Sequence, residues 1–518
     1  TLITRPRRFG KTLNMSMLNC FFSRQYAEKG TIFEGLSIWK QEKYRRLQGT
    51  YPVIFLSFAD VKQNNYQDAV QKIKNIIVDA YRQHRYLEQE ECFTQNEKQQ
   101  MLEITEKMSN VTAQDALKNL SSYLNLLYGK KVLIFLDEYD TPMQEAYIHG
   151  YWDEFVGFMR SLFNATFKTN PYLERAVMTG ITRISKESVF SDLNNLTVIT
   201  TTSDAYADCF GFTEEEVFQS LDQFGMPEKK DLVKQWYDGF CFGTHRDIYN
   251  PWSITNYLKE KKLRPYWAAT SSNGLISKLL QSASVNMKEE LINRQQIVVN
   301  FDEQIIFGQL EQDESAVWSL LVASGYLKVE EIEYRGLTLE PWYSLSITNL
   351  ETVSMFSNMF KSWFAAASAN YNEFIKALLN GDVKAMNLYM NDIALATFSN
   401  FDAGKHASER SQPERFYHGF VLGLLVEVRD LYEVRSNRES GYGRYDVILI
   451  PRNLDRDAMI LEFKVKETEE KTLQETVQKA LAQIEIKKYD AELKERGIPK
   501  ERIRHYGFAF EGKKVLIG

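Results

Sequence analysis

The amino-acid sequence predicts a protein of several α/β domains, and three observations support this prediction. The chain has 518 residues, 44% of them hydrophobic and 25% charged, a composition typical of folded domains and unlike that of disordered or fibrous chains. At roughly 150 residues per domain, this length predicts about three domains. Strand-like and helix-like segments alternate near both ends of the chain, as they do in doubly wound and α+β domains.

The first domain is expected to span residues 1–212. Residues 51–60 and 132–136 are mostly apolar, as is typical of strands buried in a parallel sheet. Residues 176–180 predict a third strand. Apolar positions three or four residues apart predict helices between the strands, one of which should end at Gly129.

The rest of the chain is expected to contain three further regions. Residues 213–350 should be helical and winged-helix-like, because a predicted helix at 315–325 precedes two strand-like runs. Residues 351–405 should form a helical linker, and residues 406–518 a second α/β domain. That last domain is predicted to contain helices 414–428 and 473–492 and strands 444–450, 459–465 and 506–510.

Composition excludes several classes of protein. We expect no membrane span, because no apolar run approaches the roughly 20 residues required. Four scattered cysteines predict neither a disulfide framework nor a zinc site, which favours a cytoplasmic protein. The net charge of −6 argues against coating nucleic acid along the whole surface, although local basic grooves stay compatible with it. The chain starts at Thr1, close to its first motif, so we expect an N-terminal piece to be missing.

A phosphate-binding loop is predicted at residues 5–12, RPRRFGKT, which keep the second half of the GxxxxGK[ST] pattern. Backbone N–H groups of Arg8, Phe9 and Gly10 would cradle an anion at the start of the next helix. Lys11 would reach the β- and γ-phosphates, and Thr12 would offer its hydroxyl to Mg²⁺. An exposed turn before an amphipathic helix is an equally good explanation of this motif taken alone.

Two carboxylates, Asp137 and Glu138, follow the second predicted strand. Buried carboxylates are costly unless a cation is present, and ligands of α/β sheets bind at this end of the strands. Asp137 would hold Mg²⁺ through water and Glu138 would orient or deprotonate an attacking water; the alternative is a simple helix N-cap. Thr182 and Arg183, after the third strand, could sense a γ-phosphate or form an ordinary surface turn.

The segments TRPRRFGKT, FLDEYDTP, TGITRIS and WYDGF together resemble the AAA-ATPase-like domain of many gut-bacterial proteins, which is akin to archaeal and STAND-type P-loop ATPases. The resemblance covers roughly residues 1–215. It implies a P-loop NTPase fold with ATP and Mg²⁺ as cofactors. Gly10, Lys11 and Thr12 would then bind phosphate and magnesium. Asp137 and Glu138 would be the carboxylates at the end of the strand. Arg5 replaces the first glycine of the general pattern, and its side chain constrains the first turn. Nucleotide binding is therefore a firmer expectation than hydrolysis.

A second constellation consists of Asp446, Glu462 and Lys464 on two adjacent predicted strands. Residues two apart on a strand share a face, so Glu462 and Lys464 should point the same way. The loop at 451–457 could bring Asp446 beside them. Two carboxylates and a lysine could form a Mg²⁺ site in which the lysine positions or deprotonates a water. An exposed strand with outward charges would give the same pattern.

GRYDVILIP and ILEFKV, with the later helix and the strand YGFAF, resemble a PD-(D/E)XK superfamily nuclease domain, whose fold is restriction-endonuclease-like. The resemblance implies Asp446 and Glu462 as metal ligands and Lys464 as a catalytic residue. Supporting candidates are Gln483, Tyr489 and, more weakly, Glu414. Tyr445 takes the place of the motif's proline, and FYHGF at 416–420 is similar to the opening segment of the domain.

These observations lead to the hypothesis of an ATP-binding domain that controls a Mg²⁺-dependent nuclease domain acting on nucleic acid, with DNA favoured. The middle region would couple the two or recognise DNA. A homo-oligomer is expected by analogy alone. One alternative is a nucleotide-dependent regulatory or interaction switch that cuts nothing. A small-molecule kinase is a weaker alternative, because no acceptor pocket or lid is evident in the sequence.

Overall fold

The computed structural model describes residues 1–183, 193, 195–268, 274–282, 287, 290–291, 296–303, 310, 313–362, 368–397, 421, 424–436, 439–440, 443–444, 446–453 and 455–518. The chain divides into two compact units. The first comprises Thr1–Leu275 and Val299–Tyr343, and the second comprises Ile276–Val298 and Ser344–Gly518.

A parallel sheet of five strands in the order β2-β3-β4-β1-β5 forms the centre of the first unit. Its strands are β1 Leu2–Thr4, β2 Val53–Ser57, β3 Val132–Asp137, β4 Leu173–Gly180 and β5 Val198–Ile199. All six residues of β3 are buried, which explains its continuous apolar sequence. The register pairs Thr4 with Gly180 and Leu136 with Met178, so the C-terminal ends of β1, β3 and β4 meet at one edge of the sheet.

Helices connect these strands, as the sequence pattern predicts. They are α1 Lys11–Phe22, α2 Glu42–Arg45, α3 Tyr66–Gln83, α4 Gln95–Leu102, α5 Asn110–Tyr128, α6 Thr141–Ile148 and α7 Trp152–Phe163. Helix α5 ends at Gly129, as predicted, where φ is +61°. The helix predicted over 152–167 is α-helical only to Phe163 and continues as a wider π-type turn, Asn164–Lys168.

A smaller antiparallel sheet follows in the same unit, in the order β6-β8-β7. It consists of β6 Phe212–Thr213, β7 Phe240–Phe242 and β8 His245–Tyr249. Helices α8 Glu214–Gln223, α9 Lys230–Tyr237 and α10 Pro251–Glu260 form an apolar core that includes Leu221, Tyr237 and Tyr257. Farther along the chain lie α11 Gly274–Ser282, β9 Ile297–Val299, the helix Glu314–Ala323 and the neighbouring strands β10 Leu327–Arg335 and β11 Glu340–Ile347. The last three have the helix-then-two-strands order expected of the winged-helix-like segment.

The second unit contains a five-stranded mixed sheet in the order β12-β15-β16-β17-β18. Its strands are β12 Tyr432–Ser436, β15 Val447–Pro451, β16 Ala458–Val465, β17 Ile503–Glu511 and β18 Lys514–Ile517, with a short hairpin of β13 Glu439–Ser440 and β14 Gly443–Arg444. Only β16 and β17 are parallel among these paired strands. The single helix predicted over 473–492 is wrong: Leu473–Lys487 stops at Lys488, where φ is +53°, and Ala491–Glu495 follows separately.

Three further helices of this unit are Leu350–Ser362, Ser368–Asn380 and Val383–Thr397. The last one covers the edge of β18 through two asparagines. Asn387 donates to the carbonyl of Ile517 and accepts from its N–H at 2.7 and 2.8 Å, and Asn391 pairs in the same way with Val515 at 2.7 and 3.0 Å. Side-chain amides therefore satisfy backbone groups that an edge strand would otherwise expose.

The cysteines and the hydropathy of the helices bear on two expectations from composition. The four cysteines all lie in described segments and are free thiols. Within the described part of the chain, none of the helices combines the length and the hydropathy that crossing a membrane requires.

Candidate functional sites

The predicted phosphate loop lies between β1 and α1, at the edge where the parallel strands end. Gly10 precedes the first helical residue with φ +79°, and Arg8 also adopts a left-handed conformation at +66°. Left-handed residues alternating with right-handed ones turn successive N–H groups toward one concave side. The loop is thus positioned to bind an anion at the positive end of the α1 dipole.

Lys11 spans this loop from the inside. Its buried ammonium donates to the carbonyl oxygens of Arg5 and Pro6 at 3.1 Å each. It also lies 3.4 Å from Glu138 Oε1. The ammonium of Lys11, which the sequence predicts to bind phosphates, therefore lies between the loop carbonyls and the carboxylate of Glu138.

Asp137 accepts hydrogen bonds from two threonine hydroxyls. Thr12 donates to Oδ2 at 2.7 Å and Thr179 donates to Oδ1 at 2.6 Å. The structure thus brings together the two residues, Thr12 and Asp137, that were predicted to bind Mg²⁺. Glu138 follows with φ +53°, a strained conformation for a residue with a side chain, and its ion pair with Lys11 helps to hold it.

Asp140 is a buried carboxylate of this edge that the motif reasoning missed. Its Oδ2 accepts from the N–H groups of Ile181 and Thr182 at 3.0 and 2.8 Å, and from the Thr182 hydroxyl at 2.7 Å. Oδ1 is buried without a hydrogen-bond partner among the described residues. Burial and the neighbouring Glu138 raise the pKa of Asp140. The signal in the sequence was the repeated acid of DEYD, two residues beyond Glu138.

This contact changes the interpretation of Thr182. Its hydroxyl is buried against Asp140, so in this structure it anchors the loop after β4 and is not presented to a ligand. Arg183 is half-buried, at the end of the described segment. Gly180 allows the close packing here, because a Cβ added to it would lie 2.6 Å from Asp140 Oδ1.

Arg5, the residue in place of a glycine, is fully buried. Its guanidinium donates to the carbonyls of Thr4, Thr200, Ala205 and Tyr206 at 2.9, 2.7, 3.4 and 3.2 Å. It also lies over the ring of Phe242, 4.5 Å from the centroid. Burial lowers the pKa of Arg5 to about 10, so it stays charged near neutral pH. The departure from the general pattern is therefore a structural anchor.

The second constellation assembles on β15 and β16. Val447 pairs with Leu461, which places Asp446 opposite Glu462. Asp446 Oδ2 accepts from the N–H of Phe463 at 2.7 Å. Lys464 Nζ lies 3.3 Å from Glu462 Oε1, which also accepts from Gln483. The three residues predicted from the D…ExK pattern therefore converge at one place.

The electrostatics of this cluster fit a divalent cation. Glu462 is almost completely buried, and burial, followed by the charge of Asp446, raises its pKa to about 8 against the opposing effect of Lys464. Its Oε2 has no hydrogen-bond partner within the part of the chain described. An ionised, unpartnered carboxylate is costly in such surroundings. A Mg²⁺ ion held by Asp446 and Glu462 would remove that cost.

A second layer of residues supports Glu462. Gln483, on the helix Leu473–Lys487, donates both to Glu462 Oε1 and to the hydroxyl of Tyr489, the latter at 3.0 Å. Gly507 lies opposite Glu462 on β17. A Cβ at this position would lie 2.9 Å from the carbonyl oxygen of Val477, so the absence of a side chain brings the helix close to the sheet.

Three residues of the nuclease-like motif are not placed by the structure. Glu414, His418 and Tyr445 lie outside the described residues. The prediction that Glu414 adds a carboxylate to the site therefore stays a prediction.

Comparison with known proteins finds a family match near each end of the chain. A family model described as a predicted AAA-ATPase matches residues 1–190, and one described as the PD-(D/E)XK nuclease superfamily matches residues 412–518. The chain is also similar to a protein of Azotobacter chroococcum mcd 1 named "Uncharacterized protein in vnfD 5'region". The two are 23% identical over 511 residues, which cover 96% of this chain and 87% of that protein. By these matches, the chain contains a predicted AAA-ATPase-like domain at residues 1–190 and a PD-(D/E)XK nuclease superfamily domain at residues 412–518.

Proposed function

We propose that the protein binds ATP with Mg²⁺ at the phosphate loop and cleaves phosphodiester bonds of nucleic acid, DNA being favoured, at its C-terminal domain. The observation that supports this proposal best is the convergence of Asp446, Glu462 and Lys464 around a buried carboxylate oxygen without a hydrogen-bond partner among the described residues. A strand that only displayed charges to solvent would not bury Glu462.

Each residue of the C-terminal site has a distinct task in this proposal. Asp446 and Glu462 would hold Mg²⁺, which when bound acidifies water and offsets charge on the phosphate. Gln483 fixes Oε1 of Glu462 and so leaves Oε2 directed to the ligand position. Lys464, half-buried beside Glu462, would orient the attacking water or take its proton and balance the charge of the attacked phosphate.

The N-terminal site is proposed to bind the nucleotide through its own set of residues. The N–H groups of Arg8, Phe9 and Gly10 would bind phosphate oxygens, and Lys11 would move from the loop carbonyls to the β- and γ-phosphates. Thr12 and Asp137, already in contact, would hold Mg²⁺. Glu138 would orient water if ATP is hydrolysed.

A cleavage assay tests the nuclease proposal. Purified protein is incubated with single- and double-stranded DNA and RNA in Mg²⁺ or Mn²⁺, with and without ATP. We expect Lys464→Ala to abolish cleavage while the unfolding temperature is retained. Lys500→Ala, which changes an exposed lysine of the same domain, should cut like the wild type.

A separate binding assay tests the ATP proposal. Titration calorimetry with ATP and Mg²⁺ should show binding to the wild type and none to Lys11→Ala. If the wild type leaves every substrate uncut but binds ATP, the nuclease proposal fails, and the non-cleaving switch becomes the better account.

A further inference from the structure

The phosphate loop is held from outside by the smaller sheet and its neighbours in the same unit. Its first residues carry side chains, whereas a glycine-rich loop would have few. Five successive residues, 5–9, contact parts of the unit outside the parallel sheet. The pairs are Arg5 with Phe242, Pro6 with Gly325, Arg7 with Asn250, Arg8 with Trp252, and Phe9 with Phe240 and Phe242. The conformation of the loop therefore depends on residues more than two hundred positions away.

Phe9 is the apolar anchor of this contact. It is buried, and its ring meets Phe240 and Phe242 edge to face, with centroids 4.7 and 5.3 Å apart. Gly211 packs closely against this ring: its φ is +92°, and a Cβ added to it would lie 3.0 Å from the Phe9 ring. Phe240 is the last residue of the WYDGF segment, so that segment contributes directly to the support of the loop.

Asn250 connects the loop to α10 with both ends of its side-chain amide. Its Oδ1 caps the helix by accepting from the N–H groups of Trp252 and Ser253 at 2.9 and 3.4 Å. Its Nδ2 donates to the carbonyl oxygen of Arg7 at 3.2 Å. Asn250 is fully buried, so water cannot easily replace either bond.

Trp252 holds the next residue of the loop. The guanidinium of Arg8 lies over its ring, 4.7 Å from the centroid. This stacking offsets part of the strain of the left-handed conformation at Arg8, which a residue with a side chain rarely adopts. Release of Arg8 would allow its φ to relax, and the N–H groups that converge on the anion position would then diverge.

We propose that Asn250 and Trp252 are positioning residues of the nucleotide site, which hold residues 7–10 in the shape that binds phosphate. The inference rests on the proposed binding of ATP at this loop. Phosphate binding and the loop conformation are linked. A nucleotide bound to the loop would therefore also stabilise the position that α10 adopts here. In place of the conformational freedom that a glycine would give, the loop has contacts with a distant segment of the chain.

The test separates the bond to the loop from the helix cap. Asn250→Ser keeps a capping hydroxyl but is too short to reach the Arg7 carbonyl. Asn65→Ser is the matched control, because Asn65 caps α3 and the described bonds of its side chain join Asp68, which is not a residue of the loop. Titration calorimetry with ATP and Mg²⁺ should give a Kd about three- to tenfold higher for Asn250→Ser, as expected for one lost hydrogen bond. The Kd of Asn65→Ser should match that of the wild type.

Trp252 supplies a second, independent variant. Trp252→Ala, at a half-exposed site, should raise the Kd about two- to fivefold, the usual range for an exposed cation–π contact. Trp252→Phe retains an aromatic face and should recover most of this loss. All variants should unfold within a few degrees of the wild type, which excludes a general loss of structure.

The outcomes distinguish the two proposals. If the wild type binds ATP and both Asn250→Ser and Trp252→Ala bind it equally well, the positioning role is refuted while ATP binding stands. If the wild type does not bind ATP, the proposed nucleotide site fails and the inference fails with it. If Asn250→Ser does not fold, the comparison of Trp252→Ala with Trp252→Phe decides.

Discussion

Replacement of Gly507 by alanine should displace the helix that supports the nuclease-like site. The added Cβ would lie 2.9 Å from the Val477 carbonyl oxygen, 3.0 Å from Ala480 Cβ and 3.4 Å from Leu481 Cγ. Carbon atoms in contact prefer separations of about 3.5–4.0 Å, so the helix must move by roughly half an ångström. Two of the three obstacles belong to the helix backbone or to its short Ala480 side chain, and rotamer changes cannot relieve them. Overpacking of this kind costs about 1–3 kcal/mol.

The displacement should affect function more than stability. Gln483 lies on the same helix, and its bond to Glu462 would lengthen as the helix moves away from β16. Misplacement of a catalytic group by about 1 Å can reduce a rate on the order of a hundredfold. We therefore expect Gly507→Ala to cut nucleic acid about tenfold or more slowly and to unfold at a lower temperature.

The matched control is Gly157→Ala, in α7 of the first unit, where an added Cβ meets no atom within 4 Å. This variant should be as active as the wild type. Cleavage rates measured at saturating Mg²⁺, with thermal unfolding in parallel, check both expectations. A Gly507→Ala protein with the wild-type cleavage rate would show that the close approach of the helix does not position Glu462.

Three other perturbations have definite expected results. Asn387→Leu removes two bonds to β18, for a loss of about 1–2 kcal/mol, and should speed amide exchange of the C-terminal peptide about five- to thirtyfold. Unchanged exchange, as followed by mass spectrometry, would contradict this. Burial lowers the pKa of His84 to about 4, so the unfolded chain binds its proton first as the pH falls. Stability should drop by about 2 kcal/mol between pH 7 and 5, and less in His84→Gln, as followed by unfolding temperature. Arg5→Gly restores the general phosphate-loop pattern yet should bind ATP more weakly, because four carbonyls lose their donor; tighter binding would refute this.

The proximity of the site residues was largely predictable, because it follows from local rules. Alternation along β16 places Glu462 and Lys464 on one face. An antiparallel partner joined by a short loop must bring Asp446 near them. Parallel strands end at one edge, so Asp137 and the loop before α1 had to meet. These relations depend on periodicity and strand direction, which a single sequence carries.

What could not be predicted depends on contacts between distant parts of the chain. The bond of Asn250 to Arg7 joins residues 243 positions apart, and no local pattern distinguishes it from an ordinary helix cap. The same is true of Asn387 and Asn391, which look like surface residues of a helix but satisfy a sheet edge. The break at Lys488 was also missed, because a lysine rarely adopts a left-handed conformation.

The departure at residue 5 and the support of residues 6–9 are parts of one arrangement. A glycine at the start of a phosphate loop gives freedom to the backbone, and the bound anion then selects the shape. Arg5 removes that freedom, and its buried charge must be met by carbonyls and by the ring of Phe242. Phe242 also packs against Phe9, and Asn250, which follows the neighbouring strand β8, bonds to Arg7. The loop is therefore shaped in advance by the segments packed on it, and we expect a motion of those segments to weaken the proposed binding of phosphate.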